Sequence, residues 1–256
     1  MATSITLTER DGGAFVELRL CAPPRNVLDG DALDAIADAA LSVRAQHPRA
    51  RAVLLSAEGP NFSVGASVPE HDRAHAPRML ARFHGAVRAL LDVELPIVAA
   101  VRGHCLGGGL EFALLSSRIV SAPGASFGQP EVRLAAIAPV ASLLLPGRIG
   151  QARAEAMLLS GDLLSASAAH AQGLVDELAE EPEAAATAWI RASLAAHSPS
   201  AMRLATRAAR AVLRRDLDAL LPRLEHLYVE ELLATHDAEE GVRAFIEKRA
   251  PRWEAP

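Results

Sequence analysis

The segment "PIVAAVRGHCLGGGLEFALLSS", from Pro96 to Ser117, constrains this chain more than any other. An apolar run with β-branched residues, of strand length, ends in glycines, and an apolar segment of helical character follows at once. Glycines at 103, 107, 108 and 109 free the backbone to turn sharply or to approach a ligand closely. One acid, Glu111, stands two residues beyond the last of them. Such a strand–turn–helix joint belongs to α/β folds, and its turn usually serves a phosphate or a developing negative charge.

The phosphate uses do not fit. A P-loop needs Lys and Ser/Thr after its last glycine, whereas Leu110 and Glu111 follow here, and a carboxylate repels phosphate. The dinucleotide fingerprint G-x-G-x-x-G is also absent, because Gly103 is followed by Gly107, Gly108 and Gly109. Two uses stay open on this segment alone. Amides at the helix start can polarise a carbonyl while Glu111 moves a proton beside it. Alternatively, Glu111 merely caps a tight joint.

The rest of the chain reads as further strand and helix alternation. "SITLTER" and "AFVELRL" alternate around "DGG", which predicts a hairpin. Asp29 or Asp31 caps a helix through about Gln46, with Leu33, Ile36, Ala40 and Val43 on one face. "RAVLLSA" and "SRIVSA" are short buried strands, and "RMLARFHGAVRALLD" is an amphipathic helix. From about residue 150 the chain is helical with glycine breaks. Beyond about 181 four helices are predicted: "AAATAWIRASLAAH", "AMRLATRAARAVLRR", "LDALLPRLEHLYVEELLA" and "AEEGVRAFIEKRA". The expected fold is an α/β core with a helical C-terminal region, and such a tail often packs against a neighbouring subunit.

Composition narrows the function classes. At 256 residues, half of them apolar, the chain can bury a sizeable core. A formal charge of −5 and 4% aromatic residues argue against nucleic acid as the main partner. Only Cys21 and Cys105 occur, which suits a reducing cytoplasm and gives no zinc spacing, so no metal is expected. The N-terminus shows no signal-peptide pattern, and no apolar run approaches the roughly 20 residues that span a bilayer. A cytoplasmic protein with no membrane partner is expected.

Two more segments supply parts for chemistry beside a carbonyl. "NFSVGASVPEH", Asn61 to His71, follows "RAVLLSA" much as the glycine turn follows "PIVAAV". "ASFGQPEVRLAAIAPVASLLLPGRIG", Ala125 to Gly150, adds a second acid, Glu131, after a Gln-Pro turn. His71, His75 and His84 lack a ligand spacing such as H-E-x-x-H and are expected as surface or pocket-rim residues. Cys105 is expected in the core, and His104 to point along a strand end. Tyr228 and Trp253 are expected in packing or an interface.

Together "NFSVGAS", "VRGHCLGGGLEFAL", "SFGQPEVRL" and "RIGQARAEAMLLSG…SASAAHAQGLVDE" resemble the enoyl-CoA hydratase/isomerase (crotonase) superfamily, over essentially the whole chain. The resemblance implies a spiral of ββα units over residues 1–190. It implies a helical region over 191–256 that is not an independent domain and serves trimerisation, with trimers or dimers of trimers. Ala66 and Gly108 match its oxyanion-hole amides, and Glu111 and Glu131 its two catalytic glutamates, as base and acid side. Arg25, Asn26, Gly65, Ser67 and Gly107 fall where the family meets CoA and substrate, and Phe245 and Lys248 match a C-terminal segment that contacts CoA across subunits. CoA is then part of the substrate and no separate cofactor is implied.

Two departures are informative. Ser67 stands where an acid is common, and Pro139 where a glycine amide helps to hold water; proline has no N–H. "GASVPEH" and "APVASLLLP" look like the subgroup that hydrates cyclohexa-1,5-diene-1-carbonyl-CoA. The expected activity is water addition to, or removal from, an α,β-unsaturated CoA thioester. An ordinary enoyl-CoA hydratase or isomerase, a thioester hydrolase and a non-catalytic acyl-CoA binder are the rivals.

Overall fold

The computed structural model describes residues 5–254. The N-terminal hairpin pairs β1 (Ile5–Arg10) with β2 (Phe15–Leu20) through a 3-10 turn at Asp11–Gly13. Helix α1 (Gly30–Gln46) starts at Asp29, whose carboxylate accepts from the Ala32 N–H at 2.9 Å, and buries the four apolar residues its spacing predicts. Then come β3 (Val53–Ala57), α2 (Ala76–Asp92), β4 (Ile97–Val101), β5 (His104–Leu106), α3 (Gly108–Leu114), β6 (Arg118–Ser121) and β7 (Ser126–Gly128). The second half contains α4 (Pro139–Ile149), α5 (Gln151–Ser160), β8 (Leu163–Ser165), α6 (Ala166–Ala171) and β9 (Glu177–Leu178). Helices α7 (Pro182–Ser193), α8 (Pro199–Ala209), α9 (Ala211–His226) and α10 (His236–Ile246) complete it.

The strands form two sheets. The larger has the order β1-β2-β3-β4-β6-β9, parallel beyond the hairpin, and the smaller has β5-β7-β8. β3 and β4 are buried at every residue, which is why their sequences are continuous apolar runs rather than alternating ones. One face of the large sheet packs into the main core with α1 and α2. The other is covered by α7, whose Ala186 and Ile190 meet Phe15, Leu54, Val98, Ala100 and Val120.

One unit repeats: a strand in the large sheet, a step into the small layer, then a helix. β4–β5–α3 and β6–β7–α4 follow it, and β3 is followed by Ser63, bridged to Cys105 of β5, and then by α2. This is the ββα spiral that the resemblance implies.

The C-terminal half departs from the sequence reading in three places. "LLS", Leu163–Ser165, forms β8 rather than helix, because its three residues pair with β7. The helix break falls at Arg210, where the backbone turns, so "AVLRR" belongs to the same helix as "LDALLPRLEH". The boundary at residue 190 lies inside α7, a helix that covers the large sheet. The tail also folds back onto its own chain. α9 packs on α4, and α10 packs on two 3-10 turns, at Val68–His71 and Pro130–Leu134. A Cβ on Gly241 of α10 would lie 2.1 Å from the Leu134 carbonyl oxygen, so the helix meets that turn backbone to backbone. The buried Glu240 of α10 accepts from Arg243, from Arg249 and from the Arg252 N–H at 2.8 Å, which fastens the last residues to the helix.

Candidate active site

The two glycine-containing loops meet edge to edge. Leu28 bridges Ala66: the Leu28 N–H donates to the Gly65 carbonyl at 3.0 Å and the Ser67 N–H to the Leu28 carbonyl at 3.3 Å. In a parallel bridge this pattern directs the Ala66 N–H away from Leu28. It faces the glycine turn, where a Cβ on Gly108 would sit 3.4 Å from the Ala66 nitrogen and 2.7 Å from the Phe83 ring. No side chain fits at 108. Gly108 also opens α3, so its N–H has no acceptor within the helix. Two backbone donors from consecutive units of the spiral thus stand side by side.

The acids flank them. Glu111, in the first turn of α3, is 5% exposed, and its Oε1 accepts from the Ala141 N–H at 2.8 Å. The neighbouring Val140 amide also favours the anion, so the carboxyl sits at the N-terminus of α4, a natural anion site. Burial still raises its pKa above the ordinary carboxylate range, against the pull of those donors. Glu131 lies on the Pro130–Leu134 turn, and a Cβ on Gly107 would come within 2.7 Å of its Oε1. Burial first, and then the charge of Glu111, raise its pKa too. The buried Gln129, with its amide nitrogen turned to Glu131, donates to the carboxylate oxygens at 2.9 and 3.0 Å. Two such carboxyls cannot both ionise easily and titrate as a pair.

Both amides and both acids line one cavity of about 660 Å³, a size suited to a small ligand. Gly65, Ser67, Gly107 and Pro139 line it as well, with Arg25 exposed at its edge. Phe245, matched to a segment that contacts CoA across subunits, lines the cavity of its own chain and is 54% exposed. Two expected residues are not there. Asn26 is buried with its side chain fully used: it accepts from the Ala22 N–H at 2.8 Å and donates to the Glu58 and Asn61 carbonyls at 2.9 and 2.7 Å. It ties the loop before Leu28 in place. Lys248 is exposed beyond the end of α10 and away from the cavity.

Of the histidines expected at the surface or the pocket rim, His71 and His84 line the cavity and are buried: His71 Nδ1 lies 2.9 Å from the Ser67 carbonyl, and His84 Nδ1 pairs with Glu225. His75 is exposed beside Asp72. His104 borders the cavity with Nδ1 2.7 Å from Ser126 Oγ. Cys105 is a core residue, as expected, and its burial pushes the thiol pKa up. Trp253, expected in packing or an interface, is 48% exposed on this chain. Tyr228 is packed but also lines the cavity, and its hydroxyl has no partner among the described residues. Of the residues the sequence did not nominate, only Gln129 carried a signal, in the Gln-Pro step before Glu131. Among the described residues no cluster of three His, Cys, Asp or Glu could hold a metal ion, and no helix is long and apolar enough to cross a membrane.

Comparison with known proteins agrees with this geometry. The family model for enoyl-CoA hydratase/isomerase matches residues 11–256. The chain is 50% identical to cyclohexa-1,5-dienecarbonyl-CoA hydratase of Thauera aromatica over 246 residues, 96% of this chain and 95% of that one. It is 32% identical to a probable enoyl-CoA hydratase of Mycobacterium bovis over 236 residues, 89% of each chain. A crystal structure of an enoyl-CoA hydratase from Mycobacterium avium superposes with a TM-score of 0.87 at 25% identity, over 99% of this chain and 100% of that one. With its ββα spiral, facing amides and match along nearly its whole length, the chain belongs to the enoyl-CoA hydratase/isomerase family.

Proposed function

We propose that the protein is an acyl-CoA hydratase, a hydro-lyase that adds water to a cyclic dienoyl-CoA such as cyclohexa-1,5-diene-1-carbonyl-CoA, or removes it in reverse. One observation carries the reading: two carboxyls with raised pKa values flank two adjacent backbone donors in one cavity. A simple binder has no use for acids beside the thioester. The 50% identity to the Thauera aromatica enzyme supports the cyclic substrate.

The Ala66 and Gly108 N–H groups donate to the thioester oxygen and stabilise the enolate more than the ground-state carbonyl, each donor of this kind contributing about 3–4 kcal/mol. Water attacks the β-carbon and loses its proton to the ionised carboxylate. Glu111 suits that part, because the α4 amides favour its anion. The neighbouring charge favours the protonated form of Glu131, which suits the acid. With a ring diene the enolate is extended, and the proton is delivered to its far end, a net 1,4-addition. Arg25 at the cavity edge would meet CoA phosphates, and Gly65, Ser67 and Phe245 would border the pantetheine arm.

The same reading makes this a cytoplasmic enzyme that assembles as a trimer or a dimer of trimers. Leu204 and Val212, both more than half exposed on the C-terminal helices, are apolar surface for such contacts. A screen of acyl-CoA thioesters by mass tests the activity. Gain or loss of one water supports hydration; release of free CoA, or a shifted double bond at constant mass, contradicts it.

A further inference from the structure

Tyr228 is the chain's single tyrosine, and it stands on a π-helical turn, Leu227–Glu231, that follows α9. π turns inside helical segments interrupt the regular stacking of side chains and are frequent at functional sites. The residue is 1% exposed and lines the cavity, and its hydroxyl is buried with no hydrogen-bond partner among the described residues. A buried hydroxyl without a partner is destabilising, so packing alone would favour phenylalanine here. The hydroxyl also lies within the field of both acids: burial first, then Glu131 and Glu111, raise its pKa, which keeps it protonated as a donor.

The backbone offers little to a water beside Glu111. Pro139 opens α4 without an N–H, and the Ala141 amide after it already donates to the Glu111 carboxylate. The ionised Glu111 only accepts a proton from the reacting water, and the proton of Glu131 is the one passed to the enolate; the water is oriented when a further group donates to one of its lone pairs. We propose that the Tyr228 hydroxyl supplies this donor, holding the water that adds to the substrate between itself and the two glutamates. This rests on the hydratase reading. The proton leaving the water goes to a glutamate, and the phenol keeps its own.

The full-length enzyme with Tyr228→Phe tests it, with cyclohexa-1,5-diene-1-carbonyl-CoA as substrate. The expected result is a kcat lower by about 10–100-fold with KM within about threefold, since the lost contact acts on the water rather than on the thioester. The melting temperature should be unchanged or higher. Pro139→Gly, which restores an N–H at the start of α4, should return part of the lost kcat when combined with Tyr228→Phe. A kcat within twofold of the wild type, a change in KM alone, or a double variant no faster than Tyr228→Phe would overturn the role. If Glu111→Gln abolishes turnover while Tyr228→Phe does not, only this role fails. If the wild type takes up no water, the hydratase reading itself fails.

Discussion

The two acids of the cavity are supported in different ways. Glu111 belongs to the spiral itself: it sits on α3 and is gripped by backbone amides at the start of α4. Glu131 belongs to a short 3-10 turn, is approached by the side chain of Gln129, and leans on α10 through the backbone contact at Gly241. A backbone donor is lost only on substitution by proline, and the peptide units that present it are held in place by the rest of the helix. One acid is therefore fixed by the scaffold, while the other depends on a side chain and on the C-terminal helix. A pair that must share a proton gains from this asymmetry, because the difference in support sets which partner is ionised.

Removing either charge should have the largest effect. Glu111→Gln and Glu131→Gln should each lower kcat by about 10²-fold or more in a steady-state assay, the usual range for acid–base groups. The asymmetry predicts the next effect. Gly241→Ala drives a methyl into the Leu134 carbonyl, and the turn or the helix must give way. About 1–3 kcal/mol of stability should be lost, with kcat lower by roughly tenfold, measured by denaturant melts and turnover. Glu111 is held by the start of α4 rather than by α10, so a wild-type rate in this variant would show that α10 does not position Glu131.

Gln129→Ala is a gentler version. It removes a donor that stabilises the charged form of Glu131, so the pKa of that acid should rise further. The alkaline limb of the pH–rate profile should move up by a fraction of a pH unit, with a few-fold loss of kcat. The smallest expected effect is on stability. Both carboxyls bind protons more tightly in the folded than in the unfolded chain, so the folded state holds the extra protons once the unfolded carboxyls ionise. Stability is then fully present below the ordinary carboxylate range and is lost as pH rises through the raised values. Thermal melts across pH should show this decline, and Glu131→Gln should flatten it.

Much of this was legible in the sequence because it rests on local patterns. β3 and β4 are apolar runs because both faces are covered, and α1 shows its cap and its buried stripe in four residues. The glycine turn and both glutamates announce themselves by spacing, and ten of the twelve nominated site residues line the cavity. What was hidden depends on contacts between distant parts of the chain. β8 is a strand because β7 lies beside it, and His84 is paired with Glu225, 141 residues further on. Asn26 was misplaced because an asparagine that staples a loop and one that meets a ligand look the same in sequence. Tyr228 carries no local signal at all; its meaning comes from the two acids it faces.

The most direct test of the account is the pH dependence of kcat for hydration of cyclohexa-1,5-diene-1-carbonyl-CoA, in the wild type and in Glu131→Gln. A carboxyl pair sharing one proton predicts a bell centred near neutrality in the wild type, with both limbs between about pH 6 and 9. In Glu131→Gln the residual rate should keep the acidic limb of Glu111, close to its wild-type position because burial raises that pKa, and should lose the alkaline limb. A wild-type profile that is flat across that range, or a Glu131→Gln profile identical in shape to the wild type, would contradict it.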